Sequence, residues 1–338
     1  MRTSEKKNNN QASAQRLLDE IGRAVVGKND ALRLIMLSIL SSGHVLFEDL
    51  PGLAKTLTAR SFSQTLGCEF KRIQFTSDLL PADITGSYIF NRSNSQFELR
   101  RGPIFCNILL ADEINRAPPR TQSALLEAMQ ERQVTIENET LKLESPFIVF
   151  ATQNPIEYEG TYPLPEAQLD RFLIKISLGY PTLEEETSIL ERRSKRQRDD
   201  ISLETIVSKE ELLDMQREVE LVHIERDLER YIAEIVGRTR EHGSVEVGSS
   251  PRGSLAILKL CRASAWLAER DFVIPDDIKG VAVPALNHRM ILTADNWLRG
   301  TKPQAIIDEI VAKTPVPKVE QQLDPRESNQ ATKATASK

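Results

Sequence analysis

Short apolar runs alternate with longer stretches of helical periodicity in the first half of the chain. The runs are typical of strands buried on both faces and lie at residues 44–47, 72–75, 108–111, 147–151 and 172–176. Several of them are separated by helical patterns at residues 13–22, 29–42, 55–66 and 119–132. This alternation predicts an α/β fold with a doubly wound, mostly parallel five-stranded sheet.

The second half of the chain has helical periodicity throughout, which predicts an all-α domain. Candidate helices lie near residues 183–197, 208–220, 226–242, 251–269 and 275–290. Pro181 interrupts the preceding segment, and Thr182 with Glu185 three positions later forms a capping box that begins the first of these helices. We therefore place the domain boundary between residues 181 and 182.

Both ends of the chain are polar and poor in apolar residues. Residues 1–12 and 315–338 contain too few apolar side chains to order themselves, so we expect both segments to be disordered. The predicted α/β domain then spans residues 13–181, and the predicted helical domain spans residues 182–314.

The amino-acid composition indicates a folded globular protein, and the net charge disfavours nucleic-acid binding. The 338 residues are 40% hydrophobic and 28% charged, which is typical of a folded globular chain. The net charge is −5, from 44 basic and 49 acidic residues, so no overall positive field attracts a nucleic acid. No signal peptide and no apolar run long enough to cross a membrane are visible, which predicts a cytoplasmic protein.

Cysteine and histidine positions argue against a zinc site, a disulfide scaffold or a histidine-based catalytic triad. Cys68, Cys106 and Cys261 stand far apart, which suits a reducing compartment. The four histidines are never paired at metal-ligand spacing. The chemistry must therefore come from other residues.

A phosphate-binding loop is indicated by FEDLPGLAKTLTAR, which follows the first predicted strand and begins a helix. Lys55 and Thr56 match the pattern G-x-x-x-x-G-K-[ST], but Asp49 and Ala54 replace its two glycines and Gly52 is the only glycine in the loop. We expect Ala54 to have the negative φ of a residue entering a helix. We expect the Asp49 side chain to point away from a bound triphosphate. Taken alone, a Lys-Thr pair at a helix start is also compatible with ordinary surface.

An acidic pair follows the third apolar run. Asp112 and Glu113 stand at the expected carboxyl end of a strand, where ligands of open α/β sheets bind. There Asp112 would hold Mg²⁺, and Glu113 would polarise an attacking water molecule. This arrangement looks like a Walker B strand, and the alternative is a solvated acidic strand end.

Two further polar positions follow the later strands. The run FIVFATQNP ends at Gln153 and Asn154, and the Asn154 amide is placed to bind the attacking water or a γ-phosphate, although Asn-Pro also forms turns. Arg171 precedes the last strand and would act as an arginine finger at a subunit edge. Its alternative role is an ion pair with Asp170 or Glu166.

A cation stands at the start of a predicted lid helix. Ser250 is a candidate N-cap, Pro251 takes the first helical position and Arg252 follows in the first turn. Because a cation is disfavoured at a helix N-terminus, Arg252 suggests a nearby anion, for which a γ-phosphate is the functional candidate. The alternative is an arginine exposed by chance.

The order of these motifs resembles that of AAA+ ATPases, and within them the MoxR family. The segments that carry the resemblance are VVGKNDA, EDLPGLAKT, FTSDLLPADITGS, RRGPIFCNILLADEINRAPPRTQSALLEAMQERQVTI, FATQNPIEYEGTYPLPEAQLDRF and SPRGSLAILKLCRASAWLAERDFVIPDDI. They cover about residues 15–312. The resemblance implies an AAA+ P-loop core followed by an all-α lid. It also implies an ATPase with ATP and Mg²⁺ as cofactors, usually a ring hexamer, that remodels or activates client proteins, often ones with von Willebrand factor A domains.

The resemblance also assigns site residues. The nucleotide would be bound by Val26, Gly27, Pro51, Gly52, Leu53, Ala54, Lys55, Thr56 and Leu57, with Val26 and Gly27 at the adenine. The metal would be held by Thr56 and Asp112. The catalytic residues would be Glu113, Asn154 as sensor one, Arg171 as arginine finger and Arg252 as sensor two. Arg116 and Arg120 lie near the same interface and remain alternative fingers. Residues 76–102 match a hairpin insertion expected near a ring pore.

Two other functions remain open from the sequence. One is a non-catalytic, nucleotide-gated scaffold, which the substitution at Asp49 permits. The other is a DNA-dependent motor, which the basic run ERRSKRQR at residues 191–198 permits but the net charge disfavours. Such a run is more often one solvated helix face.

Overall fold

A computed structural model describes residues 2–155 and 160–317, with side chains from Lys7 onward. The strands of the first half are β1 (Val45–Glu48), β2 (Phe70–Gln74), β3 (Gly86–Asn91), β4 (Gln96–Arg101), β5 (Ile108–Asp112), β6 (Gln133–Ile136), β7 (Glu139–Lys142), β8 (Ile148–Gln153) and β9 (Ile174–Ile176). The helices of the first half are α1 (Arg2–Gly22), α2 (Asn29–Leu40), α3 (Lys55–Thr65), α4 (Pro81–Thr85), α5 (Pro119–Glu131) and α6 (Glu166–Leu169).

The five strands predicted from apolar runs form one parallel sheet. Its order is β2-β5-β8-β1-β9, and every neighbouring pair is parallel. Consecutive residues of β8 belong to two different hydrophobic cores. Phe150 lies in the core that contains α2 and α3, and Val149 lies in the core that contains α5. The central strands β1, β5 and β8 are apolar along most of their length because both faces of the sheet are covered, whereas the edge strand β2 alternates. The predicted doubly wound α/β fold is confirmed.

The second half is a helical lid. Its helices are α7 (Leu183–Arg196), α8 (Lys209–Glu220), α9 (Arg226–Glu241), α10 (Pro251–Leu267), α11 (Pro275–Leu286), α12 (Ala294–Leu298) and α13 (Pro303–Lys313). A short antiparallel pair, β10 (Val245–Val247) with β11 (Ile291–Leu292), is added to the expected helices. The predicted capping box begins α7: Glu185 N donates to Thr182 Oγ1 and Thr182 N donates to the Glu185 carboxylate.

Helix α1 packs against the lid, which corrects the prediction of a disordered N-terminus over residues 1–12. The helix begins at Arg2, and both Asn10 and Gln11 are buried. Asn10 Nδ2 donates to Glu218 Oε1 at 2.7 Å, and Gln11 Nε2 donates to the Trp266 carbonyl at 2.9 Å. Composition was misleading here because buried polar side chains with partners stabilise a segment that has few apolar residues. Of the predicted tail, residues 318–338 lie outside the described residues.

The predicted insertion at residues 76–102 contains the β3–β4 hairpin. Gly86 begins β3 with φ +94°, and a Cβ there would overlap the carbonyl of Arg100 on the paired strand, so the position requires glycine. At the other end, the rings of Phe90 and Phe97 pack edge to face with centroids 5.3 Å apart. They are 52% and 70% exposed, which leaves an aromatic pair on the surface.

In the part of the chain that the structure describes, every helix is too short or too polar to cross a bilayer.

Candidate functional site

The carboxyl ends of β1, β5 and β8 surround a cavity of about 440 Å³. Its lining residues are Pro51, Gly52, Leu53, Ala54, Lys55, Thr56, Leu57, Arg72, Gln74, Asp112, Glu113, Thr152, Gln153 and Asn154. The structure therefore brings together the seven predicted loop residues, both residues of the acidic pair and the buried Asn154.

The phosphate-binding loop connects β1 to α3. Lys55 Nζ donates to the carbonyls of Asp49 and Leu50, each at 2.8 Å, so the side chain lies across its own loop. Burial lowers the pKa of Lys55, while the nearby carboxylates of Asp49, Asp112 and Glu113 oppose that shift. The ammonium group is thus held where it can exchange carbonyl partners for phosphate oxygens.

Asp49 points away from the cavity, and that prediction is confirmed. Its buried carboxylate accepts hydrogen bonds from Ser177 Oγ at 2.5 Å and from the backbone N–H groups of Leu178 at 2.7 Å and Gly179 at 3.2 Å. These contacts tie the start of the loop to the segment after β9. The charge is therefore satisfied within the protein and does not face a phosphate.

The expectation for Ala54 is wrong. Ala54 is the N-cap of α3 and has φ +58° and ψ 16°, the left-handed conformation. The residue does not yet belong to the helix, because the chain must still turn before Lys55. An L-residue with a Cβ in this conformation costs about 1 kcal/mol relative to glycine. The loop therefore keeps the backbone shape that the usual glycine allows, at some cost in stability.

Both carboxylate oxygens of Asp112 already have partners. Thr152 Oγ1 donates to Oδ1 at 2.6 Å and also accepts from Glu113 N at 2.7 Å. The guanidinium of Arg72 donates to Oδ2 at 2.7 Å. Thr152 thus orients Asp112 through one carboxylate oxygen, and Arg72 contacts the other.

Glu113 is held by two side chains. Its Oε2 accepts from Gln74 Nε2 at 2.7 Å and forms an ion pair with Arg116 Nε at 2.9 Å. The Glu113 backbone has φ +55°, which turns the chain sharply after β5. Arg116, considered as an alternative finger, therefore contacts the carboxylate of its own subunit.

Three residues of this site were missed by the sequence reasoning. Arg72 and Gln74 stand two residues apart in β2 and so share one face of the strand, and the Cα of Gln74 is paired with that of Asp112. Thr152 is the polar residue inside the apolar strand β8. The alternation in β2 and the lone threonine were visible signals, but only the strand order shows that they meet.

Arg171 lies outside the cavity lining and follows α6. Among the described residues, its Nε is buried without a hydrogen-bond partner, and it forms no ion pair with Asp170 or Glu166. The alternative that the sequence left open for it is therefore not formed. Arg120 is exposed at the start of α5.

Arg252 also lies outside the cavity lining within the described chain. Ser250 caps α10 as predicted, accepting from Arg252 N at 3.2 Å. The anion beside Arg252 is the carboxylate of Asp170, with 3.6 Å between Nη1 and Oδ2. Asp170 also accepts from Ser250 Oγ at 3.0 Å and from the buried Arg289 at 2.7 Å, so it joins the last core segment to two lid helices.

Val26 and Gly27 lie where the core meets α7. Gly27 has φ +74°, and a Cβ there would overlap the Glu185 side chain. The neighbouring Lys28 donates to the Tyr180 carbonyl at 2.9 Å. Like the two arginines, Val26 and Gly27 are absent from the described lining of the cavity.

The residues present suit a nucleoside triphosphate with a hard divalent cation. The loop supplies an ammonium group and backbone N–H groups to anionic oxygens. The Thr56 hydroxyl and the Asp112 carboxylate line the same cavity, and Mg²⁺ is commonly held by one or two such oxygens with phosphate and water.

Comparisons with known proteins show which family this chain resembles. Residues 44–174 match the family model of ATPases associated with various cellular activities, and residues 237–310 match the AAA lid domain. The chain is 50% identical over 300 residues to the uncharacterized protein YeaC of Bacillus subtilis, covering 89% of this chain and 93% of that protein. It is 42% identical over 314 residues to the chaperone MoxR1 of Mycobacterium tuberculosis, covering 90% of this chain and 82% of that protein.

A solved structure shows the same architecture. The crystal structure of a candidate ATPase from Cytophaga hutchinsonii superposes with a TM-score of 0.88 at 42% identity, covering 94% of this chain and 98% of that one. Fold, site and relatives lead to one conclusion: the chain belongs to the MoxR family of AAA+ ATPases.

Proposed function

We propose that this chain hydrolyses ATP with Mg²⁺ at the cavity beside the loop of residues 49–54 and uses the reaction to remodel client proteins. The observation that carries the proposal is the convergence of Lys55, Thr56, Asp112, Glu113 and Asn154 at one cavity of about 440 Å³. These residue types supply a phosphate cation, two metal donors, a proton acceptor and an amide for the attacking water.

Each residue has a defined task in this reaction. Lys55 leaves the Asp49 and Leu50 carbonyls and binds phosphate oxygens. Thr56 and Asp112 would hold Mg²⁺, which when bound neutralises charge that develops on the phosphate oxygens. Asn154 orients the attacking water, and Glu113 accepts its proton after the carboxylate leaves Gln74.

The positions of Arg171 and Arg252 support a site that is completed by assembly and lid movement. Neither side chain lines the cavity in the described protomer. Arg171 would reach the nucleotide of a neighbouring subunit in a homo-hexamer as an arginine finger. Arg252 would exchange the Asp170 carboxylate for a γ-phosphate when the lid closes. Hydrolysis would then be coupled to lid motion.

Client remodelling is supported by the exposed aromatic pair of the β3–β4 hairpin. Phe90 and Phe97 expose apolar rings that can contact unfolded or partly folded segments of another protein. We place the protein in the cytoplasm and infer that its clients include proteins with von Willebrand factor A domains, as the family resemblance suggests.

Phosphate release from ATP by the purified chain, compared with Glu113→Gln, tests the proposal. Loss of a proton acceptor should lower turnover by about 10²- to 10⁴-fold while nucleotide binding persists. Glu127→Gln, an exposed position on α5, is the matched control and should behave as the wild type. No turnover in wild-type chain that binds ATP would favour the nucleotide-gated scaffold, and strict dependence on DNA would favour the motor.

A further inference from the structure

A second groove in the described chain is lined by residues other than those of the nucleotide cavity. It has a volume of about 1100 Å³ and is bounded by α1, α2, α7 and the end of α10. Its lining residues are Gln15, Leu18, Asp19, Gly22, Arg23, Asn29, Asp30, Leu32, Arg33, Arg192, Lys195, Arg196, Arg198, Ile201, Ser202, Leu267 and Ala268. We call this set the basic groove. It shares no lining residue with the nucleotide cavity.

The rim of the basic groove is strongly cationic. Six arginine and lysine side chains line it against two aspartates, in a chain whose net charge is −5. The basic run at residues 191–198 is therefore not only a solvated helix face, because Arg23, which follows α1, and Arg33 of α2 line the same groove. Such a concentration of one sign creates a local field that attracts an anionic ligand.

Several of these cations are available to a ligand. Lys195 and Arg198 are exposed, and neither side chain forms an ion pair or hydrogen bond with any residue in the described ranges. Arg192 instead shapes the wall, because its Nη1 donates to the carbonyls of Gly22 at 2.9 Å and Arg23 at 3.1 Å. Arg192 is thus held in place by hydrogen bonds, whereas Lys195 and Arg198 at the rim can contact a ligand.

The floor of the groove is apolar. Leu18, Leu32, Ile201, Leu267 and Ala268 line it, and its described lining contains no aromatic side chain. Proteins that bind single-stranded nucleic acid stack bases on aromatic rings, which this groove does not provide. At about 1100 Å³, the groove has room for several side chains of a bound segment.

We propose that the basic groove binds an acidic peptide segment of a partner protein. Carboxylates of the segment would contact Lys195, Arg198 and Arg33, and its apolar side chains would lie on the floor formed by Leu18 and Ile201. Charge complementarity selects the segment, and burial of its apolar side chains stabilises the complex. The binding requires no nucleotide and therefore does not depend on the proposed ATPase function.

The test measures fluorescence anisotropy of a fluorescein-labelled peptide of repeated Glu-Glu-Leu units, added to the full chain without nucleotide. The double variant Lys195→Glu, Arg198→Glu should weaken binding by about tenfold or more, because both contacts change from attraction to repulsion. The control variant Lys259→Glu, Arg299→Glu makes the same change in net charge at exposed positions outside the groove and should bind as the wild type.

A single variant on another helix tests whether the loss of binding comes only from a structural change around α7. Arg33→Glu in α2 should also weaken binding, while the urea midpoint of each variant shows that the fold is kept. Equal binding by the groove and control variants would overturn the proposal, as would failure of the wild type to bind the peptide. Binding of oligothymidine or polyphosphate in place of the peptide would overturn it in favour of a phosphate ligand.

Discussion

Arg72 contacts Asp112 through two hydrogen bonds to the same oxygen, Oδ2, at 3.1 Å from Nε and 2.7 Å from Nη2. The contact crosses from β2 to β5 and places a guanidinium beside the carboxylate proposed to hold Mg²⁺. Arg72 would therefore compete with the proposed Mg²⁺ for the charge of Asp112. Arg72 belongs to none of the sequence motifs, yet it contacts a residue of the candidate site.

Arg72→Ala should lower the Mg²⁺ concentration that gives half-maximal phosphate release, by about threefold to tenfold, because the competing cation is removed from a partly exposed pair. Titration of Mg²⁺ at saturating ATP measures the effect. Lys71→Ala, on the neighbouring position of β2, is the control and should leave the requirement unchanged. A higher Mg²⁺ requirement in Arg72→Ala would mean that Arg72 positions Asp112 rather than competing for it.

Gln74→Ala should raise basal turnover by about fivefold with little change in KM, because one hydrogen bond that restrains the Glu113 carboxylate is lost. Steady-state phosphate release separates kcat from KM. Gln130→Ala, an exposed glutamine of α5, should have no effect. Slower turnover in Gln74→Ala would show that the contact orients Glu113 for catalysis.

Arg171→Ala should lower kcat by about 10³-fold with little effect on nucleotide binding, because a finger contacts the phosphate only in the transition state. Within the described chain, the Arg171 side chain is half-buried and its Nε has no hydrogen-bond partner. Arg120→Ala serves as the comparison. If Arg120→Ala shows the loss and Arg171→Ala does not, the finger is Arg120.

Ala54→Gly should stabilise the folded chain by about 0.5 to 1 kcal/mol, because glycine adopts a positive φ without the steric cost of a Cβ, partly offset by its unfolded-state entropy. Urea unfolding measures the change. Ala305→Gly, at an exposed position inside α13, should instead destabilise the chain by about 1 kcal/mol. Equal losses in the two variants would contradict the left-handed assignment of Ala54.

His44 should make the protein less stable in acid. The buried ring accepts from Val149 N at Nδ1, at 3.0 Å, and its Nε2 lies 3.1 Å from the Met129 carbonyl. Burial lowers its pKa to about 4, from 6.5 in the unfolded chain. Because the folded state resists protonation, this stability is complete above pH 6.5 and declines as pH falls toward 4, by about 2 kcal/mol between pH 7 and pH 5.

Comparison of His44→Gln with the wild type at these two pH values checks this prediction. In His44→Gln, the free energy of unfolding should no longer show the part of its decrease between pH 7 and pH 5 that comes from protonating His44. His223→Gln, at an exposed site, should show the same decrease as the wild type. A slope unchanged by His44→Gln would assign the acid sensitivity elsewhere, and the buried His288, whose pKa is also lowered by burial, is the next candidate.

The sequence by itself determined the parallel sheet and most of the residues that line the cavity. Apolar runs located the central strands, because strands buried on both faces are apolar along most of their length, and shorter runs located the edge strands β2 and β9. Local signals located the helix starts at Thr182 and Ser250, because an N-cap acts within its own turn. The loop around Lys55 and the pair Asp112 and Glu113 were found because they occur at strand ends, where the fold places ligands.

Only the tertiary structure decided contacts between residues distant in the chain. Arg72 reaches Asp112, and Asp170 bonds to Arg289, because strand order and lid packing bring them together across 40 and 119 positions. The order of the N-terminal helix has the same cause, since Asn10 finds its partner on α8. The left-handed backbone of Ala54 could not be predicted from the sequence. Residue type indicates only which backbone conformation is favoured, whereas the loop that joins β1 to α3 determines the conformation that Ala54 adopts.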